Sequence, residues 1–276
     1  GSPCTEKDAC KAGKCTGTAK VCSATTWPCH AATCDAKSGQ CGAEPVADGA
    51  ACGTGQGKCA SGACVWTENG RQWGLVPAGT FQMGCNAVLD KSCDGSSDEK
   101  PQHPVTITSS YWLGLNEVSV SEYAVCVSAS KCTAPDTTGN AHPICKDVKE
   151  NNWSPAGPKS GRGQHPVNCV DWSQADAYCA WSGGSLPSEA QWELAARGRC
   201  DENGGSSGCA SSMRTYPWGD LAPTCGTHTV FSSAGPGCDV GTTWAAGSGS
   251  PSGAGPYGHH DLSGNVWEWT WDYWDS

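Results

Sequence analysis

The chain has 276 residues, with 17 Lys plus Arg against 27 Asp plus Glu, 21 Cys, 37 Gly and 17 Pro, and a formal net charge of -10. That acidic surplus excludes non-specific binding to nucleic acid or to an anionic membrane face, both of which need Lys and Arg in excess, and no apolar stretch approaches the roughly 18 residues that cross a bilayer. With 14 Trp but only 2 Phe and 2 Met, and this density of turn formers, a helix bundle is excluded too.

Ten of the cysteines fall in residues 1–64, a segment with almost no Leu, Ile or Phe. Its folding free energy must come largely from cross-links, each contributing roughly 2–4 kcal/mol; five disulfides are expected. Such density points to an oxidising compartment: secreted, periplasmic or cell-envelope. No Cys-x-x-Cys pair occurs, so disulfides are favoured over zinc. Cys10, Cys15 and Cys22 recur as Cys29, Cys34 and Cys41, each shifted by 19 residues, and Cys59 and Cys64 restart the same spacing. This reads as a repeat module, either a protease-resistant spacer or a protein- or glycan-binding stalk. The chain opens on Gly1-Ser2-Pro3 without an apolar leader, as expected if a secretion signal has been removed or was never included. Composition changes around Ala63 to Asn69, which sets the expected division: a cysteine-rich module at 1–64, a linker at 65–71 and a globular domain at 72–276.

In that domain, Val76 to Gly84 places apolar residues around a Pro-Gly turn, as an opening hairpin would. Val105 to Thr108 alternates like a half-buried strand. Ser119 with Glu122 is a capping box ahead of a helix over Tyr123 to Ala129. Ser173 to Trp181 reads as a second helix, stopped by Gly183-Gly184. Ser188 with Gln191 is another capping box and opens a third helix, Trp192 to Arg197, ending at Gly198. Three short helices leave most of the domain as strand and loop, and the class is α+β. By proximity in sequence, Cys85 with Cys93, Cys126 with Cys132, Cys200 with Cys209 and Cys225 with Cys238 are expected to staple local loops, and Cys169 is left to pair with Cys145 or Cys179.

Six ordered blocks carry a family resemblance: Val76-Pro77-Ala78-Gly79-Thr80-Phe81-Gln82-Met83-Gly84, Glu117-Val118-Ser119, His165-Pro166-Val167-Asn168-Cys169-Val170-Asp171-Trp172, Leu186-Pro187-Ser188-Glu189-Ala190-Gln191-Trp192-Glu193, Tyr216-Pro217-Trp218-Gly219-Asp220 and Gly264-Asn265-Val266-Trp267-Glu268-Trp269. Together they resemble the formylglycine-generating enzyme family, also called the sulfatase-modifying factor family. The resemblance implies a variant of the C-type-lectin fold with little regular secondary structure and a surface cleft. For the enzymes proper it implies copper- and oxygen-dependent oxidation of a cysteine in a sulfatase-type Cys-x-Pro-x-Arg segment to formylglycine.

The copper of that chemistry sits on a thiolate pair, since soft sulfur ligands select Cu(I). In the family the pair follows an Arg-Gly-Gly-Ser-Trp stretch beyond the Gly-Asn-Val-Trp-Glu-Trp block, and neither is present before Ser276. The domain is therefore expected to be C-terminally truncated, and copper to require a supplied segment. The resemblance also implies that Trp172 lines a pocket beside the copper, against the plainer reading of a core indole, and that Cys179 pairs with that further segment. It implies calcium, held by a carboxylate at Asp261, backbone carbonyls at Gly264 and Val266 and a carboxylate at Glu268, a hard oxygen set of the kind calcium takes. A second calcium site of the family lacks its expected Asn here, because Cys225-Gly226-Thr227-His228 stands at that position, with Asp239 as the one ligand that could be supplied nearby. Glu189 and Glu193, four apart on one helix face, read as structural partners of Arg residues such as Arg197, His103 and His165 as loop or strand-edge residues, and the adjacent His259 and His260 as solvated loop residues rather than metal ligands beside Asp261. The function that follows is a formylglycine-generating-enzyme-like protein acting on a protein or peptide segment. The alternative is a non-catalytic, lectin-like module binding a protein or glycan, for which Trp269, Trp271, Tyr273 and Trp274 would suit.

Overall fold

The computed structural model describes residues 4–11, 14–20, 22, 27–85, 93, 99–140, 142–146, 151–199, 214–228, 238, 241–248 and 253–273. The chain divides into two compact units, residues 1–70 and 71–276.

The first unit is built from antiparallel pairings. Strands β1 (Thr5–Lys11) and β2 (Lys14–Ala19) pair with Cys10 opposite Cys15, and β3 (His30–Cys34) and β4 (Cys41–Pro45) with Cys34 opposite Cys41. A short β5 (Ala51–Cys52) pairs with β6 (Gly57–Ala60), which pairs with β7 (Ala63–Glu68) so that Cys59 lies opposite Cys64. The structural repeat is therefore a hairpin closed on a cysteine pair, which corrects the 19-residue shift: Cys29 and Cys34 share the spacing of Cys10 and Cys15, but the second hairpin closes on Cys34 and Cys41. Among the described residues four disulfides, Cys4–Cys34, Cys22–Cys41, Cys29–Cys59 and Cys52–Cys64, cross-link the unit; the fifth expected one falls on Cys10 and Cys15, whose side chains lie outside the described part. Among the described residues its buried apolar side chains are Cys29, Cys59 and Cys64 alone. Sulfur takes the place that aliphatic side chains fill in an ordinary core. Residues 65–71, expected as a linker, hold the end of β7 and a turn at Asn69-Gly70, where both residues have positive φ, before the next strand begins at Arg71.

In the second unit β8 (Arg71–Val76) pairs with β11 (Tyr111–Gly114), and β9 (Gly79–Met83) pairs with β10 (His103–Ile107). The expected hairpin over 76–84 is thus a corner between two pairings. Pro77 has no N–H to give a ladder, and the Ala78 N–H goes to Ser110 Oγ at 3.0 Å. Val105 and Ile107 are half-buried while Thr106 is exposed, the alternation read from the sequence.

All three helices form, each on a complete capping box. Ser119 and Glu122 start α1 (Val120–Ser128), Asp171 and Gln174 start α2 (Trp172–Trp181), and Ser188 and Gln191 start α3 (Glu189–Arg197), which ends on Gly198 at φ 77°. Helix α2 begins one residue before the sequence reading because Asp171 supplies the cap. A core of Val120, Tyr123, Cys126, Cys132, Trp153 and Tyr178 seats α1 against α2, with Tyr123 and Tyr178 stacked at 5.6 Å. Cys85–Cys93, Cys126–Cys132 and Cys225–Cys238 form the expected local staples and Cys145 takes Cys169, while Cys179 keeps a free thiol. Cys200 and Cys209 lie outside the described residues. Two further two-residue strands, β12 (Trp153–Ser154) and β13 (Gly157–Pro158), complete an α+β unit of low regular structure. Among the described residues no helix is long and apolar enough to cross a membrane.

Candidate functional site

A cavity of about 170 Å³ opens in the second unit between α2, the start of β8 and the 260–269 segment. Its wall is mainly apolar, and its polar members include Arg71, Glu117, Cys179, His260 and Glu268. Arg71 is clamped in place. Its Nη1 donates to Glu122 Oε1 at 3.0 Å, and its guanidinium lies 5.0 Å from the Trp73 ring centroid. Glu122 in turn accepts from the Ser119 N–H and hydroxyl, both at 2.7 Å, so one carboxylate caps α1 and neutralises the cation in the cavity wall. Cys179, one turn from the end of α2, is pushed up to about 11 by burial, with Arg71 pulling back and Asp176 adding to the shift. It is a protonated thiol at neutral pH.

Two carboxylates of the wall, Glu117 and Glu268, feel the charge of a third, Asp261. Glu117 and Asp261 are buried. Glu117 is held well above the usual carboxylate range by desolvation and then by the charges of Asp261 and Glu268, against hydrogen bonds from Asn265 and the Val266 N–H. Desolvation also raises Asp261, although the Gly247 N–H donates to its Oδ2 at 2.6 Å. Glu268 leaves much of its residue surface to solvent, but its carboxylate end is crowded by protein and desolvation pushes it to about 7, with Trp192 opposing and Asp261 adding. Asn265 ties the loop together: its Nδ2 donates to Glu117 Oε2 at 2.7 Å and its Oδ1 accepts from the Trp244 N–H at 2.9 Å. Asp261, Gly264 and Asn265 all have positive φ, which coils the loop tightly.

This donor set fits a hard cation. The Glu117 Oε1 is buried with no hydrogen-bond partner, and each of the three carboxylates is strained by desolvation in a way that a divalent ion relieves. The three do not all lie within 4.8 Å of one another, so carbonyl oxygens of the loop have a share in any shell. Glu117 was missed as a candidate. It stands in a block quoted for the resemblance, but 144 residues before Asp261 in sequence no spacing rule connects them. Copper is a different matter. Among the described residues Cys179 is the free thiol, and a single protonated thiol does not make the soft thiolate pair that Cu(I) takes.

Trp172 is placed outside the cavity wall. Its Nε1 donates to Thr270 O at 2.8 Å and its ring meets Trp271 and Tyr273 at 5.5 and 5.7 Å. That aromatic run is open to solvent: Trp267 is 101% exposed, Trp271 50% and Tyr273 82%; Trp274 lies outside the described residues. Glu193 pairs with Arg197 at 2.8 Å and accepts from the Gly84 N–H, the structural part read for it, and the Glu189 N–H is bound by Asp272. His259, expected in solvent, is instead fully buried and pushed down to about 4 by that burial, whereas His260 lines the cavity. His103 and His165 bond to Pro101 O and Thr243 Oγ1. In the segment where a second calcium ligand is expected, His228 stacks on Trp218 at 5.1 Å, and Asp239 lies outside the described residues.

An α+β unit with short capped helices and paired strands that turn corners defines a fold class shared with a solved protein. PvdO from Pseudomonas aeruginosa superposes with a TM-score of 0.53 over 76% of this chain and 75% of that one, at 23% identity. The low content of regular structure expected from the resemblance is observed, and a C-type-lectin-like fold is consistent with the shared architecture. Residues 66–276 match the sulfatase-modifying factor enzyme 1-like domain, and the chain belongs to that family. It is 31% identical over 230 residues to the formylglycine-generating enzyme of Mus musculus, covering 72% of this chain and 57% of the relative, so the chain spans little more than half of that protein. It is 32% identical over 239 residues to the inactive C-alpha-formylglycine-generating enzyme 2 of Bos taurus, covering 74% and 73%.

Proposed function

We propose that this chain provides the substrate-binding part of a formylglycine-generating-type protein, receiving an extended cysteine-bearing segment of a protein partner in the cavity beside Cys179. The observation that carries the reading is the apolar cavity bounded by Arg71, Cys179 and Trp269, with an exposed aromatic run at its mouth. Such surfaces take extended peptides by burying side chains against flat rings. Oxidation of the bound cysteine needs a copper-holding thiolate pair in addition to the residues described. We propose calcium at Glu117, Asp261, Gly264, Val266 and Glu268, where it neutralises buried carboxylates and fixes the loop that carries Trp267 and Trp269. The disulfides set an oxidising compartment; a secreted, periplasmic or cell-envelope protein is the corresponding location.

A fluorescent peptide containing Cys-x-Pro-x-Arg tests this. It is expected to bind the 276-residue chain, with Trp269→Ala weakening binding about tenfold, the cost of one aromatic anchor. With Cu(I) and O₂ the chain is expected to leave the peptide's mass unchanged. Absence of any binding removes the reading, and conversion of the cysteine to the aldehyde by this chain removes the assignment of its cysteines to structure. A purely binding role, on a protein or a glycan, is favoured by one observation: the cavity wall offers a single thiol, and that thiol is protonated. The two roles separate in a chain extended by a thiolate-bearing segment, which converts the peptide only under the first.

A further inference from the structure

Two disulfides of the first unit lie side by side. The sulfurs of Cys29, Cys52 and Cys59 all lie within 4.8 Å of one another, although Cys29 is bonded to Cys59 and Cys52 to Cys64. Cys64 stands directly opposite Cys59 in the β6–β7 register, so four cysteines share one locus. We propose that Cys29, Cys52, Cys59 and Cys64 form a thiol–disulfide exchange site, in which reduction of Cys52–Cys64 by a dithiol reductant passes the Cys59 sulfur from Cys29 to Cys52.

Access sets the order of events. Cys29, Cys59 and Cys64 are buried, whereas Cys52 keeps part of its surface, and exchange begins where a thiolate reaches a sulfur. One thiolate of the reductant attacks Cys52 Sγ, and Cys64 leaves as a thiolate and takes a proton from water. The second thiol of the reductant then attacks its partner sulfur in the mixed disulfide, closing the reductant's own disulfide and freeing Cys52 as a thiolate. Two electrons have passed from the dithiol to the cystine. The Cys52 thiolate next attacks Cys59 Sγ, a Cys52–Cys59 bond forms, the Cys29–Cys59 bond breaks, and Cys29 leaves with the electron pair and is protonated. This second step consumes no reductant.

Direction follows from the backbone. Cys29 is held at φ 59°, in the left-handed region that an L side chain with a Cβ rarely adopts. Its carbonyl still accepts from the Val46 N–H at 2.8 Å, but release of the side chain removes one restraint on that conformation, so Cys29 is the sulfur whose departure relieves the backbone. The exchange replaces a cross-link of sequence separation 30 by a short ring within the β5–β6 segment. A long ring restricts the unfolded chain more than a short one, and the module is loosened although no disulfide beyond the first is reduced.

The test uses the whole chain with Cys64→Ser, which frees the Cys52 thiol without any reductant. Held at mildly alkaline pH, quenched in acid and alkylated, the variant is expected to carry most of its label on Cys29, with Cys52 and Cys59 joined; cleavage after Lys58 separates these two before mapping. Label that remains on Cys52, with Cys29–Cys59 intact, overturns the proposal. If the variant does not fold, the same mapping is made on the unmodified chain treated with a limiting amount of dithiothreitol. Label on Cys29 and Cys64 supports the exchange. Label on Cys52 and Cys64, or label spread equally over Cys4, Cys22, Cys34 and Cys41, overturns it.

Discussion

At the scale of single residues, the chemistry of the second unit turns on groups held out of their usual protonation range. Glu117, Asp261 and Glu268 repel one another in a desolvated corner, and an ion that binds only the folded protein stabilises it by RT ln(1 + [L]/Kd), about 2.7 kcal/mol at a hundredfold excess over Kd. Excess chelator is therefore expected to lower the melting temperature by about 5–10 °C. Glu268→Ala and Glu117→Gln are each expected to flatten that response in a calorimetric scan, since each removes a charged oxygen donor. An unchanged melting curve in chelator takes calcium out of the site. Cys179 gives a second check. A thiol pushed to about 11 is ionised to about one part in a thousand at pH 8, so iodoacetamide is expected to modify it about a hundredfold more slowly in the native chain than in denaturant. Modification at the rate of a free thiol would mean that the cavity wall is open at that point.

At the scale of elements, the helices were the legible part and the strand pairings the illegible one, for a physical reason. A capping box is closed within four residues, so Ser119 with Glu122 and Ser188 with Gln191 announce themselves in sequence and form as read. A pairing is closed between residues far apart. Val76 and Gly79 look like two sides of one hairpin, yet their partners are Tyr111 and Ile107. The same limit hid the hairpin repeat of the first unit behind an accidental cysteine spacing, and hid Glu117 from Asp261. Of the candidate site, the 261–268 loop was legible through the family blocks; the cavity was not, because Arg71, Cys179 and His260 meet only after α2, β8 and the late loop pack together. A consequence can be measured. Ser119→Ala is expected to cost about 1 kcal/mol, as cap removals do. Glu122→Ala is expected to cost about twice that in a urea titration, because it also strips the ion pair from Arg71, whose side chain is only 15% exposed. Equal costs for the two would show that the Arg71 contact contributes nothing.

At the scale of the whole molecule, the two units are stabilised by different means, and reduction separates them. The second has a conventional core around Val120, Tyr123 and Tyr178, in which each buried side chain contributes roughly 1.5–3 kcal/mol. The first has cystine where a core belongs. Full reduction is expected to erase hydrogen-exchange protection in residues 1–70 entirely, while part of it survives in α1 and α2. Persistence of protected strands in the reduced first unit would show that its hairpins stand without sulfur.

The order of the cross-links in that unit has a mechanical meaning. Cys4–Cys34 and Cys29–Cys59 overlap, with Cα atoms 5.7 and 5.4 Å apart across the bonds. A pull applied at Cys4 and Cys59 therefore runs through two disulfides and the four residues between Cys29 and Cys34, a covalent path under about 30 Å, whereas the same stretch without sulfur pays out to about 180–200 Å. Under tension the module behaves as an inextensible strap whose slack is stored in closed loops. Reductant is then expected to release about 150 Å of extra extension in a single-molecule pull between those points, which makes the length of this part of the protein, when it is stretched, a readout of the redox state around it.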